Sequence, residues 1–137
     1  MKSRNKILLT VICIFVILSF IGVLFFSYIK PLVKQNQVHS DLMLLDNVIR
    51  TCIREYYESN QEYPESLSQI EDKVFEKCYT GSPSGGSKYQ ELLNKFKVSS
   101  NKNKLVLSWQ VEKKDAVYCY ETVFENGQST TSISKNK

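Results

Sequence analysis

Hydrophobic residues form one long unbroken run near the start of the chain, from Ile7 to Ile29. The run has 23 residues and no charge, so a helix of this length would reach about 34 Å. That distance spans a hydrocarbon core of about 30 Å, where only a helix or a closed barrel satisfies its own backbone hydrogen bonds. The sequence therefore predicts a transmembrane helix over residues 7–29, after a short leader over 1–6.

The segment after this run is amphipathic with a helical period. From Val38 onward, apolar residues recur at alternating steps of four and three, which places them on one face of a helix. We call this face the helix seam. It either packs onto the core of the following domain, which is the preferred interpretation, or serves as an assembly face of the coiled-coil kind. The helix seam consists of Val38, Leu42, Leu45, Ile49, Cys52 and Tyr56.

Two prolines, Pro31 and Pro64, affect where the predicted helices begin and end. Pro31, directly after the apolar run, either kinks one long helix or separates two. The helix that carries the seam is expected to end near Asn60, because a residue before proline, here Tyr63, avoids the helical region. Pro64 suits the first turn of a second helix, predicted over Glu65 to Cys78. The Gly-, Ser- and Pro-rich stretch over residues 80–88 then predicts a surface loop.

The last third of the chain changes to period two. Alternating apolar and polar residues over 105–111 predict a strand with one buried face, and branched and aromatic residues over 117–124 predict a second. Asn126-Gly127 is a strong hairpin signal, followed by a short polar edge strand over 129–134. Residues 96–99 are a candidate for a further strand, residues 113–115 for a turn, and the tail over residues 134–137 is expected to fray.

Together these elements predict an α+β fold. The N-terminal transmembrane helix continues into the amphipathic helix, which packs on a small antiparallel meander sheet. We expect one extracytoplasmic domain over residues 30–137, since about 100 residues suffice for a single small core.

The charge pattern favours an exported domain and gives no reason to expect nucleic acid as a partner. Five of the 18 Lys and Arg residues flank the apolar run, so the rest of the chain carries 13 − 14 = −1. Three of the five precede the run, which favours a cytoplasmic N-terminus. The run is too long for a signal peptide and no small-residue cleavage pattern follows, so we predict an uncleaved signal-anchor and a single-pass protein. The flanking residues are Lys2, Arg4, Lys6, Lys30 and Lys34.

Three of the four cysteines lie outside the apolar run, and in an oxidising compartment they predict one disulfide. The preferred pair is Cys78–Cys119, because Cys52 already has an apolar position on the helix seam while Cys78 lies beside a flexible loop. The rival pair is Cys52–Cys78, since both lie on apolar faces of consecutive helices. Connectivity does not follow from spacing, so both pairs stay open.

The sequence offers little for catalysis or for binding a metal or cofactor, and we expect neither. The cysteines lack the C-x-x-C spacing of zinc sites, and the sole histidine, His39, lies next to the predicted membrane segment. The aromatic residues of the strands either line a ligand groove or pack in the core, and core packing is preferred. They are Trp109, Tyr118, Tyr120 and Phe124.

The residues at the helix exit resemble a known signature. Its order of Tyr, Asn, Tyr-Pro and Leu is similar to the end of the long helix in type IV pilins and type II secretion pseudopilins. Two features of that family are missing. Its members are cleaved after a glycine that precedes the apolar run, where this chain has Lys6. They also have a glutamate five residues beyond that cleavage site, whereas the first glutamate here is Glu55. The matching residues are Tyr56, Tyr57, Asn60, Tyr63, Pro64, Ser66, Leu67 and Ile70.

Two functions from different classes follow as expectations. The resemblance, which covers about residues 7–124, implies a membrane-anchored, pilin-like structural or interaction protein of the cell envelope, accessory to a secretion or pilus system. Its partners would be the lipid bilayer and other envelope proteins. The alternative is an anchored extracytoplasmic binding module that captures a small ligand or a protein.

Overall fold

The computed structural model describes residues 2–79, 86–101, 103–113 and 116–136. It confirms the predicted α+β class, because a long N-terminal helix precedes a four-stranded antiparallel meander sheet. The chain divides into two compact units, Met1–Val38 and His39–Lys137. The division lies inside the second long helix, whereas the sequence suggested a domain boundary directly after Ile29.

The first unit is helical throughout its described residues. Helix α1 (Lys2–Leu24), a π-helical turn (Phe25–Ile29) and helix α2 (Lys30–Asn60) follow one another without an intervening loop. From Thr10 onward this continuous helix is long and apolar enough to cross a membrane.

The π-helical turn has a physical cause in Pro31. Proline has no N–H, and in a regular helix its ring crowds the carbonyl four residues earlier, which here belongs to Ser27. The turn before it is wider, because the Lys30 N–H donates to the carbonyl of Phe25, five residues back. Pro31 therefore neither ends the helix nor separates two helices.

Helix α2 provides the central element of the second unit from His39 onward. Most of the helix seam lies in the core, and only its end residues Val38 and Tyr56 are partly exposed. The middle of the seam is therefore not available as an exposed assembly face. The buried residues of α2 are Leu42, Leu45, Asp46, Ile49, Cys52 and Ile53.

The sheet has the strand order β1-β2-β3-β4, in which every neighbour is antiparallel and consecutive in sequence. Its strands are β1 (Lys97–Asn101), β2 (Lys104–Lys113), β3 (Ala116–Glu125) and β4 (Gln128–Asn136). All four strands predicted from the sequence are therefore present. The tail was wrongly expected to fray, because residues 134–136 pair with β3. Two residues of the predicted turn, 114 and 115, lie outside the described part.

The predicted Asn126-Gly127 hairpin is confirmed. Both residues have positive φ, 51° and 77°, as a type I′ turn requires. The Gly127 N–H donates to the hydroxyl of Tyr63 at 3.0 Å, and the Tyr63 ring stacks on Tyr57 at 4.4 Å between centroids. A Cβ at Gly127 would lie 3.4 Å from the Tyr57 ring, so the hairpin sits close against the helix exit.

The helix predicted over Glu65 to Cys78 needs correction. It consists of a 3-10 turn (Leu67–Gln69) and a separate helix α3 (Glu71–Tyr79). Between them Ile70 has a ψ of 0°, which is outside the helical range and interrupts the helix. The apolar face was nevertheless assigned to the right part of the chain, since Ile70 and Val74 are buried.

The loop predicted over residues 80–88 extends too far. Residues 80–85 lie outside the described part, but helix α4 begins at Gly86 and runs to Leu93. Its buried residues Tyr89, Leu92 and Leu93 have the spacing of one helical face. The sequence did not predict this helix, because its three apolar positions directly follow a stretch rich in Gly, Ser and Pro.

Truncating a buried leucine of α2 should destabilise the domain, and truncating an exposed one should not. Leu42 is 0 % exposed and Leu44 is 64 % exposed, on the same helix. We expect Leu42→Ala to lower the free energy of unfolding by about 2–5 kcal/mol because it leaves a cavity. Leu44→Ala, the matched control, should change it by no more than about 0.5 kcal/mol. Urea unfolding of the full chain in detergent, followed by Trp109 fluorescence, measures both, and equal losses would contradict this packing.

Candidate functional site

The most distinctive group of side chains lies between α2 and the sheet. We call it the buried polar cluster and define it as His39, Asp46, Arg50, Trp109 and Tyr120. Trp109 on β2 and Tyr120 on β3 are register partners, and their rings stack at 4.0 Å between centroids with an interplanar angle of 2°. Both are buried, so they form an aromatic floor beneath α2.

Asp46 anchors α2 on this floor. Its Oδ1 accepts a hydrogen bond from Trp109 Nε1 at 3.1 Å, and its Oδ2 lies 3.0 Å from Arg50 Nη2. Burial raises the pKa of Asp46, against the opposing influence of the Arg50 charge and the Trp109 hydrogen bond. The carboxylate is thus a buried group whose two oxygens both have partners, as a buried charge requires.

Arg50 extends the cluster to the last strand. Its Nη1 donates to Thr131 Oγ1 at 3.0 Å and its Nη2 donates to Asn47 Oδ1 at 2.9 Å. Thr131 in turn lies 3.0 Å from the hydroxyl of Thr122 across the β3–β4 pair. The helix is therefore tied by hydrogen bonds both to the middle of the sheet and to its edge.

His39 is the member whose polar atoms are least satisfied. Its Nε2 lies 3.5 Å from the Tyr120 hydroxyl, whereas its buried Nδ1 has no hydrogen-bond partner. The ring meets Trp109 and Tyr120 edge-on, with centroids 6.2 and 5.9 Å away. Burial lowers the pKa of His39, and the positive charge of Lys113 lowers it further. The imidazole is therefore held in a site that favours its neutral form.

A second group lies where α2, α3 and α4 meet, and we call it the thiol site: Cys52, Cys78 and Tyr89. Glu55 and Lys77 form an ion pair beside it that joins α2 to α3. Burial raises the pKa of both thiols, and the Tyr89 hydroxyl, also buried, has no hydrogen-bond partner.

The predicted disulfides are not supported by this structure, in which all four cysteines are free thiols. Successive residues of a strand point to opposite faces of the sheet. The ring of Tyr120 faces the helices, so its neighbour Cys119 lies on the outward face. Its thiol accepts a hydrogen bond from the Asn136 amide at 3.8 Å. The preferred pair, Cys78–Cys119, is therefore separated by the sheet, which the sequence did not reveal.

The aromatic residues proposed for a ligand groove lie mainly in the core. Trp109, Tyr120 and Phe124 are buried, with exposures of 2, 9 and 3 %. Tyr118 is partly exposed beneath the Lys135 ammonium, which lies 5.7 Å from its ring centroid. Three of the four thus contribute packing area instead of an accessible groove wall.

Within the described residues, no group of three His, Cys, Asp or Glu side chains is arranged to hold a metal ion. The imidazole of His39 faces aromatic rings and a phenol, and the two helix thiols lie elsewhere, at the thiol site. The arrangement is suited to fixing α2 on the sheet, and what it offers chemically is the titratable side chains of His39 and Asp46 and two thiols, of which Cys52 is buried and Cys78 half-buried.

Sequence reasoning missed the buried polar cluster. The hydrophobic period of α2 indicates no role for Asp46 or Arg50, and His39 is notable in the sequence only for lying next to the predicted membrane segment. A signal was present, because Asp46 lies four residues from both Leu42 and Arg50. A carboxylate that interrupts an apolar face, with arginine one turn later, indicates a buried ion pair.

Across the described residues, the fold is that of an α+β protein with one helix long and apolar enough to span a membrane. No family model, curated protein or solved structure matches the chain. The comparisons therefore do not test the resemblance to pilins.

Acid should destabilise the domain through His39. Because its folded pKa lies below the ordinary 6.5, the unfolded chain binds a proton before the folded chain does as pH falls. The stability contributed by the neutral ring is complete above pH 6.5 and is lost as pH falls from 6.5 toward the lowered folded pKa.

We expect the urea midpoint, followed by circular dichroism, to fall more between about pH 7.5 and about pH 5.5 in the wild type than in His39→Phe. Asp46 has a raised pKa and acts in the opposite direction, but both proteins contain it, so the comparison isolates His39. Parallel profiles for the two proteins would exclude this role for the imidazole.

Proposed function

We propose that this chain is a membrane-anchored structural or interaction protein of the cell envelope, with its helix–sheet domain outside the cytoplasm. The observation that carries the proposal is the continuous helix, apolar in its first part and amphipathic in its last. One element thereby supplies both a lipid-compatible surface and the central support of a folded domain.

The apolar part of the helix supports membrane anchoring by its exposure. No residue in its most apolar window is buried, and large side chains such as Phe15 and Phe20 are 72 and 66 % exposed. Soluble proteins rarely expose a continuous apolar surface of this extent, because it is costly in water. Hydrocarbon chains are the solvent that suits it.

The end of the apolar segment has the composition of a membrane interface. Phe25, Phe26 and Tyr28 are exposed at the π-helical turn, and the Lys30 ammonium lies 5.0 Å from the Phe26 ring centroid. Aromatic rings and lysines concentrate where hydrocarbon meets water. This supports a membrane boundary near Lys30. The cytoplasmic boundary would lie at the other end of the apolar segment, where three basic residues precede it.

The domain itself is better suited to recognition than to catalysis. Its outward sheet face presents side chains at alternate positions of β2 and β3, including the exposed Gln110, Glu121 and Glu125. Polar and charged groups on such a face recognise partners by hydrogen bonds and charge.

The pilin-like assignment, accessory to a secretion or pilus system, is the finer part of the proposal. It is supported by a long helix that enters the domain, by the Tyr63-Pro64 exit and by the meander sheet. The missing glycine at Lys6 and the missing early glutamate argue for an accessory protein over a filament subunit.

Reporter fusions test the orientation. A phosphatase fused after Lys137 should be active, and a reporter that works only in the cytoplasm should be inactive there, because basic residues before the anchor stay inside. Replacing Lys2, Arg4 and Lys6 by Gln should reduce phosphatase activity, whereas the control Lys30→Gln/Lys34→Gln should keep it. An active cytoplasmic reporter at Lys137, or a mature chain lacking residues 7–29, would refute the anchored and exported arrangement.

The chain alone is not expected to form pilus-like filaments. Filament subunits of the resembled family need a processed glycine junction and a glutamate, which would occupy positions 6 and 11 here. Electron microscopy of sheared cell-surface fractions should show no fibres containing this chain, and mass spectrometry should find its N-terminus uncut. Lys6→Gly/Val11→Glu is the matched variant, expected to gain processing by prepilin peptidase. Wild-type filaments with a trimmed, methylated N-terminus would contradict the accessory role.

A further inference from the structure

We propose that Cys52 and Cys78 form a disulfide that links α2 to α3 when the domain lies in an oxidising compartment. The inference rests on the extracytoplasmic placement proposed above. The proposed pair is the rival of Cys78–Cys119, which the sequence favoured. The reason for the change is that the sheet separates Cys119 from the helices.

The ion pair between α2 and α3 lies beside both thiols. The ion pair joins Glu55, which is three residues after Cys52, to Lys77, which is next to Cys78. Residues three apart lie on adjoining parts of one helix face, so the Cys52 turn of α2 faces the last turn of α3. Val74, one turn before Cys78, is 1 % exposed, which shows that this face of α3 is turned inward.

Electrostatic influences agree with this placement. The ionisation of Cys52 responds to Lys77, Cys78 and Lys73, which all belong to α3. Tyr89 on α4 responds to both thiols, so its unpartnered hydroxyl belongs to the same site. Cys119 does not contribute to the pKa shift of either Cys52 or Cys78, and it lies on the other face of the sheet.

The bond forms by exchange with an external disulfide, such as that of an envelope dithiol–disulfide oxidoreductase. The half-buried Cys78 thiolate attacks one sulfur of that disulfide and releases a thiolate, which leaves a mixed disulfide. The Cys52 thiolate then attacks the Cys78 sulfur and releases the second thiolate. The two protons lost by the cysteines go to the two released thiolates, so the protein is oxidised by two electrons and the external disulfide is reduced.

The environment indicates a structural bridge and not a catalytic one. Cys52 is 0 % exposed, so a bridge there is shielded from reductants in solution. Burial keeps the pKa of both thiols high, which slows exchange in either direction. A reactive redox cysteine has the opposite properties, namely exposure and a low pKa.

Alkylation of the full chain in detergent tests the pairing. After treatment with glutathione disulfide and denaturation, iodoacetamide should modify neither Cys52 nor Cys78, and after reduction it should modify all four cysteines. Peptide mapping should find Cys52 linked to Cys78. Four modifiable thiols without reduction, or a linked peptide containing Cys119, would overturn the proposal.

Matched variants add a readout of stability. Reduction should lower the urea midpoint of the wild type and of the control Cys119→Ser, but should leave that of Cys52→Ser unchanged. An equal effect of reduction on all three proteins would contradict the bridge. Mapping of the wild type does not depend on any variant, so the test stands even if Cys52→Ser fails to fold.

A further measurement separates this inference from the proposed location. Thiols are trapped with iodoacetamide at the moment of cell lysis and then counted. A bridge in trapped protein supports both the pairing and the oxidising compartment. A bridge that forms with glutathione disulfide but is absent from trapped protein upholds the pairing and contradicts the extracytoplasmic placement.

Discussion

The hydrogen bond from the Trp109 indole to the Asp46 carboxylate is the interaction on which the arrangement of the domain depends. Apolar packing alone would allow α2 to shift along the sheet, because one leucine or isoleucine replaces another at small cost. A shift of one helical turn, about 5.4 Å, would leave a buried carboxylate and a buried N–H without partners. Each such loss costs about 1–3 kcal/mol, so the polar pair selects one position from many.

The sequence predicted those parts of the fold whose signals are local. Asn126-Gly127 determines its own turn, because both residues tolerate positive φ, and the alternation in β2 determines which side chains face the core. Helix α4 was missed because its apolar face comprises only Tyr89, Leu92 and Leu93. Three positions are too few to be recognised beside a Gly- and Ser-rich stretch, and tertiary burial stabilises a helix whose own signal is weak.

The candidate sites were less predictable, because they depend on which face of one element meets which face of another. The periodicity identified Cys52 as inward and Cys119 as mid-strand, but it could not say that they lie on opposite sides of the sheet. Likewise, Asp46 appears in the sequence as a polar residue on an apolar face, and its partner Trp109 is 63 residues away. The helix–sheet contact that joins them is a tertiary property.

The distance in sequence between α2 and the strands that cover it has a consequence for how the chain folds during synthesis. Helix α2 and the β3–β4 hairpin need only neighbours in sequence, so each can form soon after it emerges from the ribosome. The apolar face of α2, however, has no sheet to cover it until β2 and β3 have also been made. For that interval Leu42 and Ile49, which are fully buried in the folded domain, are exposed on the helix. The central helix is thus synthesised before every strand that covers its apolar face, so the core closes only after most of the chain has been made.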